Sequence, residues 1–181
     1  MAEYIIQDTT LMGIADSIRA KTGKTDSIPV PDMRSQIDSI PSGGDDESVN
    51  ALIDRSITNV TIPENVTQIW NYLFDSCTEL ETVELPDVIT AIRDYAFNNC
   101  IKLSIDKLPK NLVSIGDRAF YKCKNLSIYK IPEGVTAINR QAFADCSNLA
   151  ISELPSGLTK IGIQAFYGCG NITLTSLPAG I

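Results

Sequence analysis

Five cysteines recur every 23 residues, and thiols are the most reactive side chains in this sequence. The positions are Cys77, Cys100, Cys123, Cys146 and Cys169. Three roles are open to them: small buried hydrophobic side chains, one or two disulfides, or metal ligands. The odd number prevents complete pairing, and the absence of a Cys-x-x-Cys pair disfavours zinc. We expect a column of buried free thiols, with one or two oxidised pairs as the alternative.

The chain of 181 residues contains no histidine, which removes several classes of enzyme at once. A serine–histidine triad, a histidine-ligated zinc site and imidazole acid–base catalysis all need that side chain. Paired carboxylates of the glycosidase kind would not need it. The acidic residues, however, recur at positions that the pattern places towards solvent: Asp75, Asp94, Asp117, Asp145 and Glu153. We therefore expect no enzyme, no cofactor and no metal site.

The aromatic side chains outside the regular pattern are the candidates for ligand binding. Tyr72 and Tyr95 occupy the same position in adjacent repeats, and Tyr121 and Tyr167 share another position two repeats apart. Trp70 falls in the same repeat as Tyr72. Exposed aromatic rings on a rigid support suit the recognition of sugars or proteins. The alternative is that these rings only shield the edges of the core.

Net charge and hydropathy exclude two kinds of partner. The net charge of −7 would repel phosphate backbones, so we expect no binding to nucleic acid. No run of 18 apolar residues occurs, so we expect no insertion into a membrane. The residues from Met1 onwards show neither a basic region nor an apolar stretch typical of a secretory signal.

Several other residue types follow the same interval, which makes the repeat the main organising feature of the chain. All five phenylalanines do so, and prolines and isoleucines keep the step beside them. The phenylalanines are Phe74, Phe97, Phe120, Phe143 and Phe166, and the prolines are Pro63, Pro86, Pro109, Pro132, Pro155 and Pro178. We call each 23-residue unit a coil. Since a single coil cannot bury its own apolar residues, we expect the coils to stack so that each phenylalanine and each thiol lies against its counterparts.

The order of residues within a coil predicts its local structure. An apolar residue and proline end one short strand, and a second short strand follows. The Ala-Phe-x-x-Cys spacing then predicts one helical turn per coil. A half-coil opens the stack at about residue 57. After Val83 the apolar residue moves one place earlier, to Ile105 in the next coil, which predicts a local change of strand register.

The unit IPEGVTAINRQAFADCSNL (131–149) resembles the BspA-type leucine-rich repeat. The resemblance covers residues 57–181 and extends through five coils. It implies a curved right-handed leucine-rich-repeat solenoid that serves as a recognition scaffold without catalytic residues. Proteins of this kind include bacterial surface adhesins, some protozoan surface proteins and phage structural proteins.

Residues 1–44 do not follow the repeat, and their apolar residues have helical spacing. We expect a small helical segment for attachment or oligomerisation, with apolar faces that either dock on each other or complete a core with another chain. These faces are formed by Leu11, Ile14, Ile18, Met33, Ile37 and Ile40. Residues 45–56, which begin with Asp45-Asp46-Glu47, predict a helix that caps the first coil.

Residues 9–40 are also similar to the N-terminal segment of tail-associated structural proteins of phages and prophages. That resemblance implies a virion protein, which is attached to other particle proteins by its N-terminal segment and displays the solenoid to a host-surface glycan or protein. We expect a homo-oligomer made in the host cytoplasm. The alternative hypothesis is a bacterial cell-surface adhesin of the same repeat family.

Overall fold

The computed structural model describes residues 55–62 and 64–181. The helices predicted within residues 1–44 lie outside this part of the chain, as does all but the end of the predicted capping helix at 45–56. The described residues form seven short strands and contain no helix. The strands are β1 (Asn59–Thr61), β2 (Gln68–Ile69), β3 (Thr82–Glu84), β4 (Ala91–Ile92), β5 (Ser114–Ile115), β6 (Ala137–Ile138) and β7 (Lys160–Ile161).

A parallel sheet of five strands joins all the coils. Its order is β2-β4-β5-β6-β7, and each strand pairs with the strand of the next coil at the equivalent residue. One isoleucine per strand, such as Ile92 or Ile115, faces the interior and lies beside its counterpart in the register. β-Branched side chains pack well on such a pleated surface, which is why this short segment is extended. The predicted leucine-rich-repeat solenoid of stacked coils is confirmed.

A second sheet contains only two strands, β1 and β3, with Val60 opposite Val83. Strand pairing stops at the next coil, where the apolar residue moves to Ile105. At this position of that coil the Ser104 N–H donates to the Glu81 carbonyl of the preceding coil at 2.8 Å, without a strand forming. The sequence predicted a change of register at this point, and the structure shows that regular strand pairing ends there.

The predicted helical turn in each coil is wrong, because two residues of that segment have positive φ angles. In the central coil these are Arg118, with φ of 51°, and Lys122, with φ of 61°. A right-handed helix cannot continue through a residue in the left-handed region. The segment instead forms successive turns, and the Phe120 N–H donates to the Ala142 carbonyl of the next coil at 2.8 Å. These turns therefore bond from coil to coil as well as within themselves, where the Cys123 N–H donates to the Phe120 carbonyl at 3.1 Å.

The core is a column of stacked phenylalanines that runs the length of the described coils. Neighbouring ring centroids lie 5.1 to 5.7 Å apart with nearly parallel planes. Phe74, Phe97, Phe120 and Phe143 are fully buried, and Phe166 is partly buried. Each ring thus fills the space between its two neighbours, and the column fixes the separation of the coils.

Arg55 lies at the end of the predicted capping segment and supplies a hydrogen bond to the first full coil. Its Nη1 donates to the Asp75 carbonyl at 2.9 Å. One coil later the equivalent carbonyl, that of Asn98, accepts from the Ser76 N–H of the preceding coil at 2.8 Å. Arg55 therefore provides the donor that a preceding coil would otherwise supply.

Candidate recognition surface

One row of side chains on the surface of the solenoid is formed by the residue two places before each phenylalanine. We call this row the strip, and it contains Tyr72, Tyr95, Arg118, Gln141 and Gln164. All five have φ between 51° and 60°, a region that glycine occupies at lower energy. All five carry a long side chain with a flat terminal group, and none is glycine. The strip therefore carries a conformational cost that its side-chain contacts must offset.

The side chains of the strip contact one another from coil to coil. The rings of Tyr72 and Tyr95 stack with centroids 4.8 Å apart. The Arg118 guanidinium lies 5.6 Å from the Tyr95 ring centroid, and its Nε donates to the Gln141 side-chain oxygen at 2.7 Å. Gln141 in turn donates through Nε2 to Gln164 at 2.9 Å. The five side chains form one continuous row.

Tyr121 widens the strip at its centre. The Arg118 guanidinium lies 5.4 Å from the Tyr121 ring centroid, and the Lys122 ammonium lies 5.1 Å from it. Because Tyr72 and Tyr95 stack on each other, their facing surfaces are not open to a sugar ring. The strip offers ring edges, hydroxyls, the guanidinium and amides instead, and tyrosine and arginine are the residues most often dominant in protein interfaces.

A groove of about 480 Å³ lies beside this row, on the Lys122 side. It is lined by residues of four consecutive coils, most of which have polar side chains. Its lining residues include Asn99, Ile101, Lys122, Lys124, Asp145 and Ser147. Gly168, with φ of 74°, closes one end. A Cβ at this glycine would lie 2.5 Å from Oδ1 of Asp145, so the small residue leaves room for that carboxylate.

The lysines of the groove differ from other lysines of the solenoid in their pairing. Lys102 and Lys110 form ion pairs with acidic residues of the preceding coil, at 2.6 and 3.0 Å. Within residues 55–62 and 64–181, neither Lys122 nor Lys124 has an ion-pair partner. The groove therefore contains two lysines that form no ion pair with a described residue, together with one carboxylate, that of Asp145.

Trp70 and Tyr167, the other two aromatic candidates, lie apart from the row. Trp70 packs against the core, and the Arg93 guanidinium lies 5.6 Å from its ring centroid. Its indole N–H is buried without a hydrogen-bond partner. Tyr167 is 63% exposed and belongs to the last coil. The structure thus brings Tyr72, Tyr95 and Tyr121 together, while Trp70 shields an edge of the core. The six predicted attachment residues, from Leu11 to Ile40, lie outside the described residues.

The thiols act as hydrogen-bond donors as well as apolar side chains. Sγ of Cys123 donates to the Phe97 carbonyl at 3.0 Å, and the equivalent bond recurs in the coils before and after it. All five thiols are free in the structure. Burial raises the pKa of Cys123 and Cys146 well above the ordinary value and raises that of Cys169 to about 11. They are therefore neutral at physiological pH and poor nucleophiles.

Several carboxylates accept hydrogen bonds from the backbone of the next coil. Asp94 accepts from the Asp117 N–H at 2.7 Å, and Asp117 accepts from the Arg140 N–H at 3.1 Å. Asp87 and Glu133 do the same elsewhere on the coil, and the backbone N–H each accepts lowers its pKa. These acidic side chains therefore do more than provide solubility, because each forms a hydrogen bond that joins one coil to the next.

Sequence reasoning missed Arg118, Gln141, Gln164 and the groove lysines. Polar residues at a solvent-facing position look like ordinary surface residues when each coil is considered alone. A signal was nevertheless present, because Arg118, Gln141 and Gln164 occupy the same position in the repeat as Tyr72 and Tyr95.

Two further findings concern the described residues only. No cluster of three or more cysteine, aspartate or glutamate side chains placed to hold a metal ion occurs in this part of the chain. No helix there is long and apolar enough to cross a bilayer.

Comparison with known proteins connects this geometry to a family. The model of the BspA type leucine rich repeat region matches residues 48–180 in six copies. The match begins inside the predicted capping segment 45–56. No curated protein matches the chain significantly.

Three solved bacterial leucine-rich repeat proteins are similar to the chain. The protein from T. pallidum is 31% identical over 70% of this chain, with a TM-score of 0.62. The protein from Bacteroides ovatus is 36% identical over 65%, with a TM-score of 0.58, and that from Eubacterium ventriosum is 25% identical over 69%, with a TM-score of 0.56. The similar region spans only 61%, 30% and 33% of these proteins, respectively. The chain belongs to the BspA-type leucine-rich repeat family.

Proposed function

We propose that the chain is a non-enzymatic recognition module of a bacterial surface adhesin, and that the strip and the neighbouring groove form its binding surface. The observation that carries this proposal is the strip itself. Five consecutive coils place a large flat polar side chain at a backbone position in the left-handed region, which strains every residue except glycine. Because these side chains contact one another, they form a rigid, partly exposed row with little conformational entropy left to lose on binding.

The family and the neighbours support a binding role. Repeat solenoids present extended surfaces for recognition, and leucine-rich repeat proteins are generally binding or scaffold proteins. The three similar structures are bacterial, which favours the adhesin role over the virion role predicted from residues 9–40. The virion role has no support beyond that resemblance.

The test of this function uses beads coated with the purified full chain and measures their retention, under flow, on cultured animal cells and on bacterial cells. Wild-type beads should be retained on at least one of these surfaces. The double variant Tyr95→Ala/Arg118→Ala should lose most of that retention, because it interrupts the strip at its centre.

The matched control is Arg140→Ala, which removes an exposed arginine of the next coil that lies outside the strip. Its retention should equal that of the wild-type chain. Retention on neither surface would overturn the adhesin role, and undiminished retention of the strip variant would show that this row is not the binding surface.

A further inference from the structure

We infer that the groove beside Tyr121 is a binding site for an acidic sugar unit, a monosaccharide that carries one carboxylate, within a surface glycan. This inference rests on the proposed function, since it names the ligand class of that binding surface. It is carried by the two unpaired lysines and by the hydroxyl and amide groups of the walls. A third observation is that backbone N–H groups in the groove already donate to the next coil.

The lysines supply the charge recognition. Lys122 and Lys124 are two residues apart on one coil and both line the groove. The Tyr121 ring, 5.1 Å from the Lys122 ammonium, helps to position this cation without neutralising it. An anionic group entering the groove would meet cations that have no ion pair to break, and a charge-assisted hydrogen bond would form.

The remaining walls suit hydroxyl groups. The Asn99 amide can donate and accept hydrogen bonds, the Ser147 hydroxyl donates to the Lys124 carbonyl at 3.4 Å and can still accept, and the Asp145 carboxylate only accepts. Each sugar hydroxyl also donates and accepts, so a sugar ring can satisfy all three. The acceptor Asp145 sets the orientation, because it repels a ligand carboxylate and leaves the lysine side of the groove as the place for that group.

An acidic peptide fits the same groove less well. Peptides in grooves on repeat proteins often pair with a free strand edge or with unpaired backbone groups. The backbone N–H groups of Asn99, Lys122 and Asp145 already donate to the next coil, at 2.7, 2.8 and 2.7 Å. The acidic side chains of such a peptide could not donate to Asp145, since ionised carboxylates only accept hydrogen bonds, which leaves only the peptide backbone N–H groups as donors.

The experiment measures binding of matched oligosaccharides to the full chain by isothermal titration calorimetry. One member of each pair ends in glucuronic acid, and the other ends in glucose with the same linkage. The acidic member should bind about tenfold more tightly, because a charge-assisted hydrogen bond is lost in the neutral one. Raising the salt concentration should reduce this preference.

The variant Lys122→Ala/Lys124→Ala should abolish the preference for the acidic sugar. Alanine retains a Cβ at the positive-φ position 122, so the backbone strain is unchanged and the thermal midpoint should remain that of the wild type. The matched control Lys107→Ala/Lys160→Ala removes the same charge from other exposed sites and should keep the preference.

Three results would overturn the inference: equal affinity for the neutral sugar, an unaffected preference in the groove variant, or equally tight binding of a poly-glutamate peptide. Its failure is distinguishable from that of the proposed function. If bead retention still depends on the strip while the sugars show no preference, the adhesin role stands and the ligand class is wrong. If the strip variant retains beads normally, the proposed function fails first.

Discussion

The interior column of phenylalanines and the surface strip run through the same five coils, and both are built by stacking side chains on their counterparts. The interior column contains the same residue in every coil. The strip contains two tyrosines, one arginine and two glutamines. The interior rings are enclosed by neighbours on all sides, so a change of size leaves a cavity or a clash. The strip side chains contact the previous and next members and, at Arg118, the Tyr121 ring, and flat groups of different chemistry make these contacts.

This difference separates the residues that determine the fold, which are the same in every coil, from the surface residues, whose side chains differ between coils. The interior column and the backbone hydrogen bonds between coils set the position of every strip residue to within a narrow range. The strip can then differ from coil to coil without altering the support. Recognition by this molecule is therefore expected to depend on side chains whose replacement costs little stability.

Phe120→Ala, in the central coil, should lower the free energy of unfolding by about 3–5 kcal/mol, because it leaves a cavity with a phenylalanine on each side. Chemical denaturation followed by circular dichroism measures this loss. A loss below about 1 kcal/mol would show that the ring is not enclosed as the structure places it.

The control for this substitution is Phe166→Ala in the last coil. Phe166 is only partly buried and has a stacking partner on one side, Phe143, at 5.7 Å. We expect roughly half the loss seen for Phe120, in proportion to the apolar area removed from water. Equal losses would mean that neither the deeper burial of Phe120 nor its second stacking partner contributes to stability.

Alkaline pH should also destabilise the solenoid, because the buried thiols of its core would ionise. Burial raises the pKa of Cys123, Cys146 and Cys169 above the ordinary value of 9.0. The unfolded chain therefore releases these protons at lower pH than the folded chain does. Their contribution leaves stability unchanged below pH 9 and lowers it as the pH rises further.

Denaturation midpoints measured from pH 8 to pH 11 check this expectation. Lysines and tyrosines also ionise in that interval, so the variant Cys123→Ala/Cys146→Ala provides the comparison. It should be less stable than the wild type at pH 8 but should lose less stability on going to pH 11. Parallel curves for the two proteins would contradict the role assigned to the buried thiols.

The sequence predicted the stack, its short strands and the burial of phenylalanine and cysteine, because a 23-residue interval without insertions places equivalent residues side by side. It did not predict the turns. Ala119, Phe120 and Cys123 have the spacing of a helical face, and the first positive-φ position carries Arg118 rather than the glycine or asparagine that usually marks it. The second position did carry that signal, in Asn99 and Gly168.

The candidate site was predictable only in part, for a related reason. Tyr72, Tyr95 and Tyr121 could be predicted as ligand-binding candidates, because an aromatic ring suits recognition whatever its neighbouring coils contain. Arg118 and Gln141 become conspicuous only when their contacts with neighbouring coils are known. The bond from the Cys123 thiol to the Phe97 carbonyl spans 26 residues rather than 23, so it does not follow from the repeat interval either.

Arg118→Ala should cost about 1 kcal/mol of stability, much less than Phe120→Ala, because the side chain is half-buried and solvent screens its interactions. It removes the hydrogen bond to Gln141 and the contacts with two tyrosine rings. Arg140→Ala, whose side chain forms no hydrogen bond or ion pair within the described coils, should change stability by less than about 0.5 kcal/mol. A loss near that of Phe120→Ala would place the strip with the fold-determining residues.

The smallest effects should come from a matched pair of glycine substitutions within one turn. Tyr72 and Ser76 have nearly the same φ, 60° and 57°, but only Tyr72 stacks on a ring of the next coil. At both positions glycine relieves strain of about 1 kcal/mol and increases the entropy of the unfolded chain by a similar amount. Ser76→Gly should therefore leave the midpoint of thermal unfolding nearly unchanged. Tyr72→Gly should lower it, because the stacking contact is worth about 0.5–1.5 kcal/mol. If both substitutions raised the midpoint, the tyrosine stack would not offset its backbone cost, and stability could not be the reason for the aromatic residue at that position.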